Sequence, residues 1–240
     1  MNGTAATAVG LTEAVIAATA ADADAVQIVL APPFTALPAV AAALAGSQLR
    51  LAAQDMHWLE RGAMTGAVSP PMVAEFASHV ILGHSERRAH FGETDIDVNR
   101  KVHAAIRHGL APIVCVGETR LQRDEGRTDA VIECQLRLGL GDLGADRSAS
   151  LAIAYEPVWA IGSNDPCDPD EADRVIGQIR DWLAGAFGDE AGSRARLLYG
   201  GSVTSGNAVQ YLSRPGIDGA LVGGASLDAD GFAAIVRAAR

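Results

Sequence analysis

One carboxylate stands at the end of a short apolar run. Residues 151–155 (LAIAY) precede Glu156, and Pro157 follows it. Apolar runs of this length are typical of strands buried in a parallel sheet, and a proline cannot continue the hydrogen-bond ladder. We therefore predict that Glu156 emerges from the end of a buried strand, where a carboxylate can serve as a general base toward a ligand. Considered alone, Glu156 could equally be an ion-pair partner or a solvated loop acid.

A histidine stands at a comparable position. His84 follows the apolar residues 79–82 and precedes a turn and a helix. Free backbone N–H groups at that helix start would keep the imidazole neutral and leave a ring N–H to polarise a carbonyl group. The alternative is that His84 is only a structural hydrogen-bonding group.

Two glycine pairs follow the last two predicted strands. The first is Gly200-Gly201, with Ser202 after it, and the second is Gly223-Gly224, just ahead of the final predicted helix. Bare backbone N–H groups that converge at a helix start form a phosphate site in many β/α barrels. Either pair alone could simply turn the chain. Because the pairs follow consecutive strands, we predict a phosphate cradle.

Together, these features predict proton transfer beside a phosphorylated carbonyl group. Hydride transfer is disfavoured, because no G-x-G-x-x-G sequence opens a helix after a strand. The three cysteines, Cys115, Cys134 and Cys167, have no short repeating spacing, so they indicate neither a disulfide framework nor a zinc site. We therefore expect neither a metal nor a cofactor.

The rest of the chain supplies the elements that must position these groups. Apolar runs alternate with helical patterns, which predicts an α/β fold with a parallel sheet covered by helices. A closed barrel is favoured over an open doubly wound sheet, because polar or glycine-rich turns follow nearly every strand. We expect a single domain over residues 1–240. The predicted strands are 26–30, 49–53, 79–82, 111–116, 151–155, 196–199 and 217–222. The predicted helices are 12–23, 35–44, one opening at 70, 95–108, 129–138, 168–187, 206–212 and 228–239.

Charge and composition exclude several classes of partner. The formal net charge is −10 and the sequence pI is about 5.0, which disfavours nucleic acid and anionic membranes as partners. The alanine-rich N-terminal segment has no basic region, and acidic residues interrupt it, so it indicates neither a signal peptide nor a membrane span. We expect a cytoplasmic protein.

Six stretches, taken in chain order, resemble triosephosphate isomerase: AQDMHW, GHSERRAHFGETD, CVGET, AYEPVWAIG, YGGSV and VGGASL. The resemblance runs from Met1 to the C-terminus. It implies a TIM (β/α)8 barrel, here with seven strands and eight helices, and the interconversion of dihydroxyacetone phosphate and glyceraldehyde 3-phosphate. It also implies a small phosphorylated sugar as the substrate and a homodimer in which the loop holding Thr65 reaches into the partner.

The resemblance also implies roles for individual residues. Glu156 would be the base, His84 the neutral electrophile over an enediolate, and Glu86 a second acid beside it. The segment from Pro157 onward would close as a lid. The backbone N–H groups that hold the phosphate would be those of Gly162, Ser202, Gly223 and Gly224.

The chain departs from the family pattern at its start. The family's first strand ends in an asparagine and a catalytic lysine within NWKMNG, whereas this sequence begins at Met1-Asn2-Gly3. We expect that the first strand is missing and that a short upstream segment carries it. Loss of one preorganised stabiliser of this kind typically costs about 10²–10³ in rate.

Two further departures concern the lid and the expected dimer contact. Residues 162–167 read GSNDPC where the family usually has GTGKTA, and Ala67 replaces a glutamate common in the family. Lid residues affect both substrate size and rate. An isomerase of a four-carbon ketose phosphate, erythrulose phosphate, is therefore an alternative. A non-catalytic phosphate-binding barrel, or a defective gene copy, is a third possibility.

Overall fold

The computed structural model describes residues 1–144, 151–162 and 165–240. Within those residues, seven parallel strands form one sheet in the order β1 to β7, so that each strand pairs with its neighbours in the chain. The strands are β1 (Val29–Leu30), β2 (Arg50–Ala53), β3 (His79–Leu82), β4 (Ala111–Val116), β5 (Ala152–Tyr155), β6 (Arg196–Tyr199) and β7 (Gly219–Ala220). This arrangement confirms the predicted α/β architecture, as a curled, partly closed barrel.

Eleven α-helices lie in the described part of the chain, and most of them connect consecutive strands. They are α1 (Ala5–Thr19), α2 (Leu37–Ala43), α3 (Pro70–Ala74), α4 (Ser85–Phe91), α5 (Asp95–Arg107), α6 (Arg120–Asp124), α7 (Thr128–Gly139), α8 (Pro169–Phe187), α9 (Asp189–Arg194), α10 (Ala208–Leu212) and α11 (Ala229–Ala238). None of these helices is both long enough and apolar enough to cross a membrane.

The strands bury both of their faces, which is why they read as continuous apolar runs. Alternate side chains divide between two clusters. The smaller cluster holds Ile81, Ile113, Cys115 and Ala154 on the inner face of the curved sheet. The side chains on the outer face join the larger cluster beneath the helices, as Tyr155 does.

The sheet has two ends, β1 and β7, and among the described residues these two strands do not pair with each other. The helical layer nevertheless continues across that interval, because α1 packs against both α2 and α11. Helix α1 therefore lies across the interval between the two ends of the sheet.

Several boundaries differ from the prediction. Helix α1 begins at Ala5 rather than at residue 12, because Thr4 and Thr7 form a reciprocal capping box that starts the helix earlier. The short helices α4, α6 and α9 were not among the eight predicted. Strands β1 and β7 have two residues each and are shorter than predicted. Within residues 1–144, 151–162 and 165–240, each of these two strands has a partner on one side only, so fewer ladder hydrogen bonds define its length.

Candidate active site

The parallel register brings the carboxyl ends of the strands to one edge of the sheet. Leu82 pairs with Val114, and Val116 pairs with Tyr155. His84 lies two residues beyond the end of β3, and Glu156 lies one residue beyond the end of β5. Although β4 stands between them, the two side chains lean over it and meet.

Glu156 makes direct contacts with the start of helix α4. Its Oε1 lies 3.1 Å from His84 Nε2, and its Oε2 accepts from the backbone N–H of Ser85 at 2.9 Å. The Ser85 hydroxyl donates to Oε1 at 3.3 Å. Glu156 is 2% exposed. The carboxylate is therefore buried, and residues 84 and 85 supply three of the groups that contact it.

The position of His84 assigns its tautomer. His84 is the N-cap of α4, and its Nδ1 accepts from the backbone N–H of Glu86 at 3.3 Å. A ring nitrogen that accepts a hydrogen bond carries no proton, so the proton of the neutral imidazole lies on Nε2. Nε2 then donates to Glu156, and it is the atom available to polarise a carbonyl oxygen. The side chain of Glu86 itself is exposed.

The pKa of the Glu156 carboxyl is raised above its ordinary value. Burial raises the pKa of the Glu156 carboxyl, while His84 and the Ser85 N–H act in the opposite direction. The Cys115 thiol also contacts this carboxyl, and burial together with the negative charge of Glu156 raises the thiol pKa well above its usual value. A raised carboxyl pKa brings the basicity of Glu156 closer to what proton abstraction from carbon requires.

Two glycines allow the neighbouring loops to approach Glu156. A Cβ atom at Gly117 would lie 1.7 Å from the Glu156 carbonyl oxygen, and one at Gly200 would lie 2.9 Å from Glu156 Cγ. The Gly200 N–H also donates to the Tyr155 carbonyl at 2.7 Å. These contacts fix the base between the turns that follow β4 and β6.

Three of the residues predicted to bind phosphate lie close to the carboxyl ends of their strands, on the same edge of the sheet as Glu156. The fourth, Gly162, lies further along the chain, in the predicted lid after β5. Ser202 follows β6, and Gly223 and Gly224 follow β7. Just beyond β7, the Leu221 N–H donates to the Tyr199 carbonyl on β6 at 2.9 Å. Gly224 opens a 3-10 turn, Gly224–Leu227, so the second glycine pair precedes α11 by that turn rather than directly. Gly162 has a φ of 63° and is exposed.

The predicted lid begins at an anchored turn. Val158–Ala160 forms a 3-10 turn, and Trp159 Nε1 donates to Glu118 Oε1 at 2.6 Å. The Tyr155 hydroxyl lies 3.2 Å from both Glu118 oxygens, and burial raises the Glu118 pKa. Residues 163–164 of the predicted lid lie outside the described residues.

Two contributors to this site were missed by the sequence analysis, Ser85 and Glu118. Ser85 was included only as part of a motif, and its position at the first turn of a helix was the available signal for an N–H donor. Glu118 falls within the CVGET stretch, which predicts no role for it. Its partners Tyr155 and Trp159 lie 37 and 41 residues further along the chain, so local sequence spacing does not indicate the contact.

The single lysine of the chain, Lys101, lies in a separate buried cluster. Lys101 is 5% exposed, and its Nζ contacts Asp55 Oδ1 at 2.6 Å and also Glu93 Oε1. Arg87 Nη2 completes the cluster, 2.9 Å from Asp55 Oδ2. Burial raises the Asp55 pKa, against the opposing effect of Lys101. Lys101 is thus committed to two carboxylates.

Comparison with known proteins gives a consistent result. The family model for triosephosphate isomerase matches residues 1–239. The chain is 54% identical over 215 residues to the triosephosphate isomerase of Citrifermentans bemidjiense, an alignment covering 89% of this chain and 86% of that protein. It is 47% identical over 218 residues to the enzyme of Acetivibrio thermocellus, with 90% and 86% covered. A crystal structure of triosephosphate isomerase from Bartonella henselae superimposes with a TM-score of 0.89 at 38% identity, covering 99% of this chain and 94% of that one.

Proposed function

Because the chain belongs to the triosephosphate isomerase family, we propose that it interconverts dihydroxyacetone phosphate and glyceraldehyde 3-phosphate by proton transfer through an enediolate. The hydrogen bond between His84 Nε2 and Glu156 Oε1, at 3.1 Å, is the observation that supports the roles of these two residues. It places a buried base beside a neutral donor. Triosephosphate isomerase is itself the standard example of this pairing.

Each residue then has a defined part in the reaction. Glu156 removes a proton from carbon 1 of dihydroxyacetone phosphate, and the electrons of that C–H bond form the double bond of the enediolate. The negative charge moves onto the oxygen of carbon 2, which accepts a hydrogen bond from His84 Nε2. Glu156 returns the proton to carbon 2 while a proton passes from the oxygen of carbon 1 to that of carbon 2. The aldehyde forms at carbon 1.

The observed contacts imply one movement before reaction. Glu156 Oε1 now accepts from His84 Nε2, the same N–H that must reach the substrate oxygen. Substrate binding therefore has to replace this contact, with the carboxylate leaving His84 and Ser85 to approach the substrate carbon. The energy of phosphate binding would offset the loss of these hydrogen bonds.

The phosphate group would be held by backbone N–H donors at the turns after β6 and β7. Support comes from the shared sheet edge of Ser202, Gly223 and Gly224 and from the contact between Gly200 and Glu156. Gly162 would contribute from the lid when it closes. A cradle of neutral donors suits a chain with net charge −10, because the phosphate is bound locally rather than by a basic surface.

We propose that residues 1–240 act as one TIM-barrel domain, in the cytoplasm, in glycolysis and gluconeogenesis. One seven-stranded sheet, with a core cluster that extends from Val15 to Val236, supports the single domain. A homodimer formed through the loop that carries Thr65 is part of the proposal. Its support is that Leu59 and Met64 on this loop are exposed apolar side chains. Analytical ultracentrifugation tests the dimer, and a purely monomeric boundary at assay concentrations would contradict it.

The decisive experiment measures isomerisation of dihydroxyacetone phosphate in D2O by proton NMR, with the Glu156→Gln variant as the matched control. We expect conversion with deuterium incorporated at carbon by the unaltered protein and none by the variant. Ligand-dependent stabilisation without deuterium incorporation would instead indicate a phosphate-binding protein. Erythrulose phosphate is assayed as the second compound, because Asp165 and Pro166 stand where the family has lysine and threonine. Faster turnover of erythrulose phosphate would assign the four-carbon reaction.

A further inference from the structure

We propose that Arg88 is a positioning residue that keeps His84 and Glu156 aligned, a role that rests on the isomerase function proposed above. Arg88 lies on helix α4, one turn beyond its N-cap, His84. The guanidinium group does not point into the site. It reaches back to the main chain of the turn after β3, which carries His84, and of β4, which lies between β3 and β5.

All three guanidinium nitrogens of Arg88 have partners. Nε donates to the Gly83 carbonyl at 2.7 Å, and Nη2 donates to the Cys115 carbonyl at 3.2 Å. Nη1 forms an ion pair with Asp95 at the start of α5. The planar fork is thus fixed in orientation by a carboxylate while its other two nitrogens join β4 to the turn after β3.

The two carbonyl groups belong to residues adjacent to the proposed catalytic groups. Gly83 precedes His84, and the Cys115 thiol contacts the Glu156 carboxyl. The ladder between β3 and β4 ends with the pair Leu82 and Val114, so sheet pairing does not hold Gly83 or His84. Arg88 supplies the connection between the two strands beyond the point where the ladder stops.

Gly83 shows how closely the guanidinium group packs against this turn. Its φ is +71°, and a Cβ there would lie 3.0 Å from Arg88 Nη2 and 3.2 Å from the Cys115 carbonyl oxygen. The guanidinium group, together with Val98 Cγ2 at 2.9 Å, therefore occupies the space that a side chain at position 83 would need. The conformation of Gly83, and hence the direction in which His84 leaves β3, is coupled to the position of Arg88.

Misplacement of a reacting group by about 1 Å can reduce a rate by about 10²-fold. Removing the fork should therefore lower kcat much more than it changes KM, since the phosphate cradle after β6 and β7 is untouched. A lysine at position 88 keeps the charge but has a single terminal nitrogen, so it cannot donate to both carbonyls in the same planar arrangement.

The test compares Arg88→Lys and Arg88→Met with Arg107→Met, an exposed arginine at the end of α5. We expect kcat for dihydroxyacetone phosphate to fall 10- to 100-fold in both Arg88 variants, with KM changed less than about threefold. The Arg107→Met control should match the unaltered protein. In an Arg88→Ala variant, added guanidinium ion at non-denaturing concentration should restore part of kcat. An unchanged kcat in folded Arg88→Met would overturn the proposal, even if its Tm falls.

Failure of the proposed function is distinguished by a measurement that needs no substrate. The Nε2–H proton of His84, assigned by its loss in His84→Asn, should give a solvent-protected NMR signal because Nε2 donates to Glu156. In Arg88→Met this signal should shift or exchange rapidly, whether or not the protein isomerises a triose phosphate. An unchanged signal would refute the positioning role of Arg88. An inactive unaltered protein whose signal is lost in Arg88→Met would refute only the isomerase function.

Discussion

The backbone N–H of Ser85 donates to Glu156 Oε2 at 2.9 Å across 71 residues of sequence. A helix N-terminus presents unsatisfied N–H groups, so it holds a carboxylate at low cost in strain. The proposed base therefore has a defined resting position on α4, from which it must move to reach a substrate. The length and the charge of the Glu156 side chain should therefore both affect turnover.

Shortening or neutralising the base should have separable effects. Glu156→Asp keeps the carboxylate but withdraws it by one methylene, so we expect reduced but measurable isomerisation. Glu156→Gln removes the basic group, and a general base typically contributes about 10²–10⁴-fold in rate. We expect kcat for Glu156→Gln to fall by about 10⁴-fold or more, and to lie below that of Glu156→Asp. Normal turnover by Glu156→Gln would mean that another group is the base.

The pH dependence of turnover should reflect the burial of Glu156. Its carboxyl pKa is raised above the ordinary value of 4.5 by burial, and only the ionised form accepts a proton. Turnover should therefore be present above the raised pKa and be lost as the pH falls through it, at a midpoint above 4.5. The profile of kcat/KM is the measurement, because it reports the pKa of the free enzyme, and the titration of the substrate phosphate is measured separately and taken into account. A midpoint at or below 4.5 would contradict the prediction.

The free energy of unfolding should change with pH in the direction opposite to turnover: it should fall as the pH rises. A carboxyl group whose pKa is raised in the folded protein costs stability once the pH exceeds that pKa, and it costs nothing below the unfolded value. Glu156→Gln should accordingly raise Tm at pH 7–8, by about 2–4 °C for each 1 kcal/mol removed. The difference should vanish below about pH 4.5. Equal Tm values at both ends of the range would indicate that the ionised carboxylate is fully compensated by its donors.

A side chain at position 117 should disrupt the site. In Gly117→Ala the new Cβ would lie 1.7 Å from the Glu156 carbonyl oxygen, and backbone cannot yield as a flexible side chain can. We expect a loss of unfolding free energy of at least about 1–3 kcal/mol, as is typical of overpacking, together with a large loss of kcat. The control is Gly10→Ala in α1, where nothing lies within 4 Å of the added Cβ. Urea unfolding should show Gly10→Ala to be as stable as the unaltered protein or more so.

The anchor of the predicted lid can be tested at Glu118. In Glu118→Ala, the Trp159 Nε1–H and the Tyr155 hydroxyl lose the acceptor that they now share. Leaving buried donors unpaired typically costs about 1–3 kcal/mol each. We expect a lower Tm and a lower kcat/KM. Glu118→Gln keeps one acceptor oxygen and should be milder in both measurements. An unchanged Tm and kcat/KM in both variants would show that the Glu118 side chain does not hold the lid.

Much of this structure follows from short-range sequence patterns. The apolar runs that became β3, β4 and β6 match the observed strands residue for residue, because burial on both faces demands them. The meeting of His84 and Glu156 follows from parallel strands that end at one edge. Short helices such as α6 do not follow in this way, since tertiary packing rather than an amphipathic pattern stabilises a single turn or two. Ser85 and Glu118 were missed for a related reason: their partners are distant in sequence.

The approach of Gly117 to the Glu156 main chain restricts how the substrate range of this protein can be altered. No residue larger than glycine fits at 117 without displacing the base. Substitutions at position 117 are therefore unsuitable for directed evolution of new specificity. We expect productive variation instead in the segment after Pro157 and in the turns that follow β6 and β7, at positions other than the proposed phosphate-binding residues Gly162, Ser202, Gly223 and Gly224. A library confined to those segments should retain far more active clones than one that includes position 117.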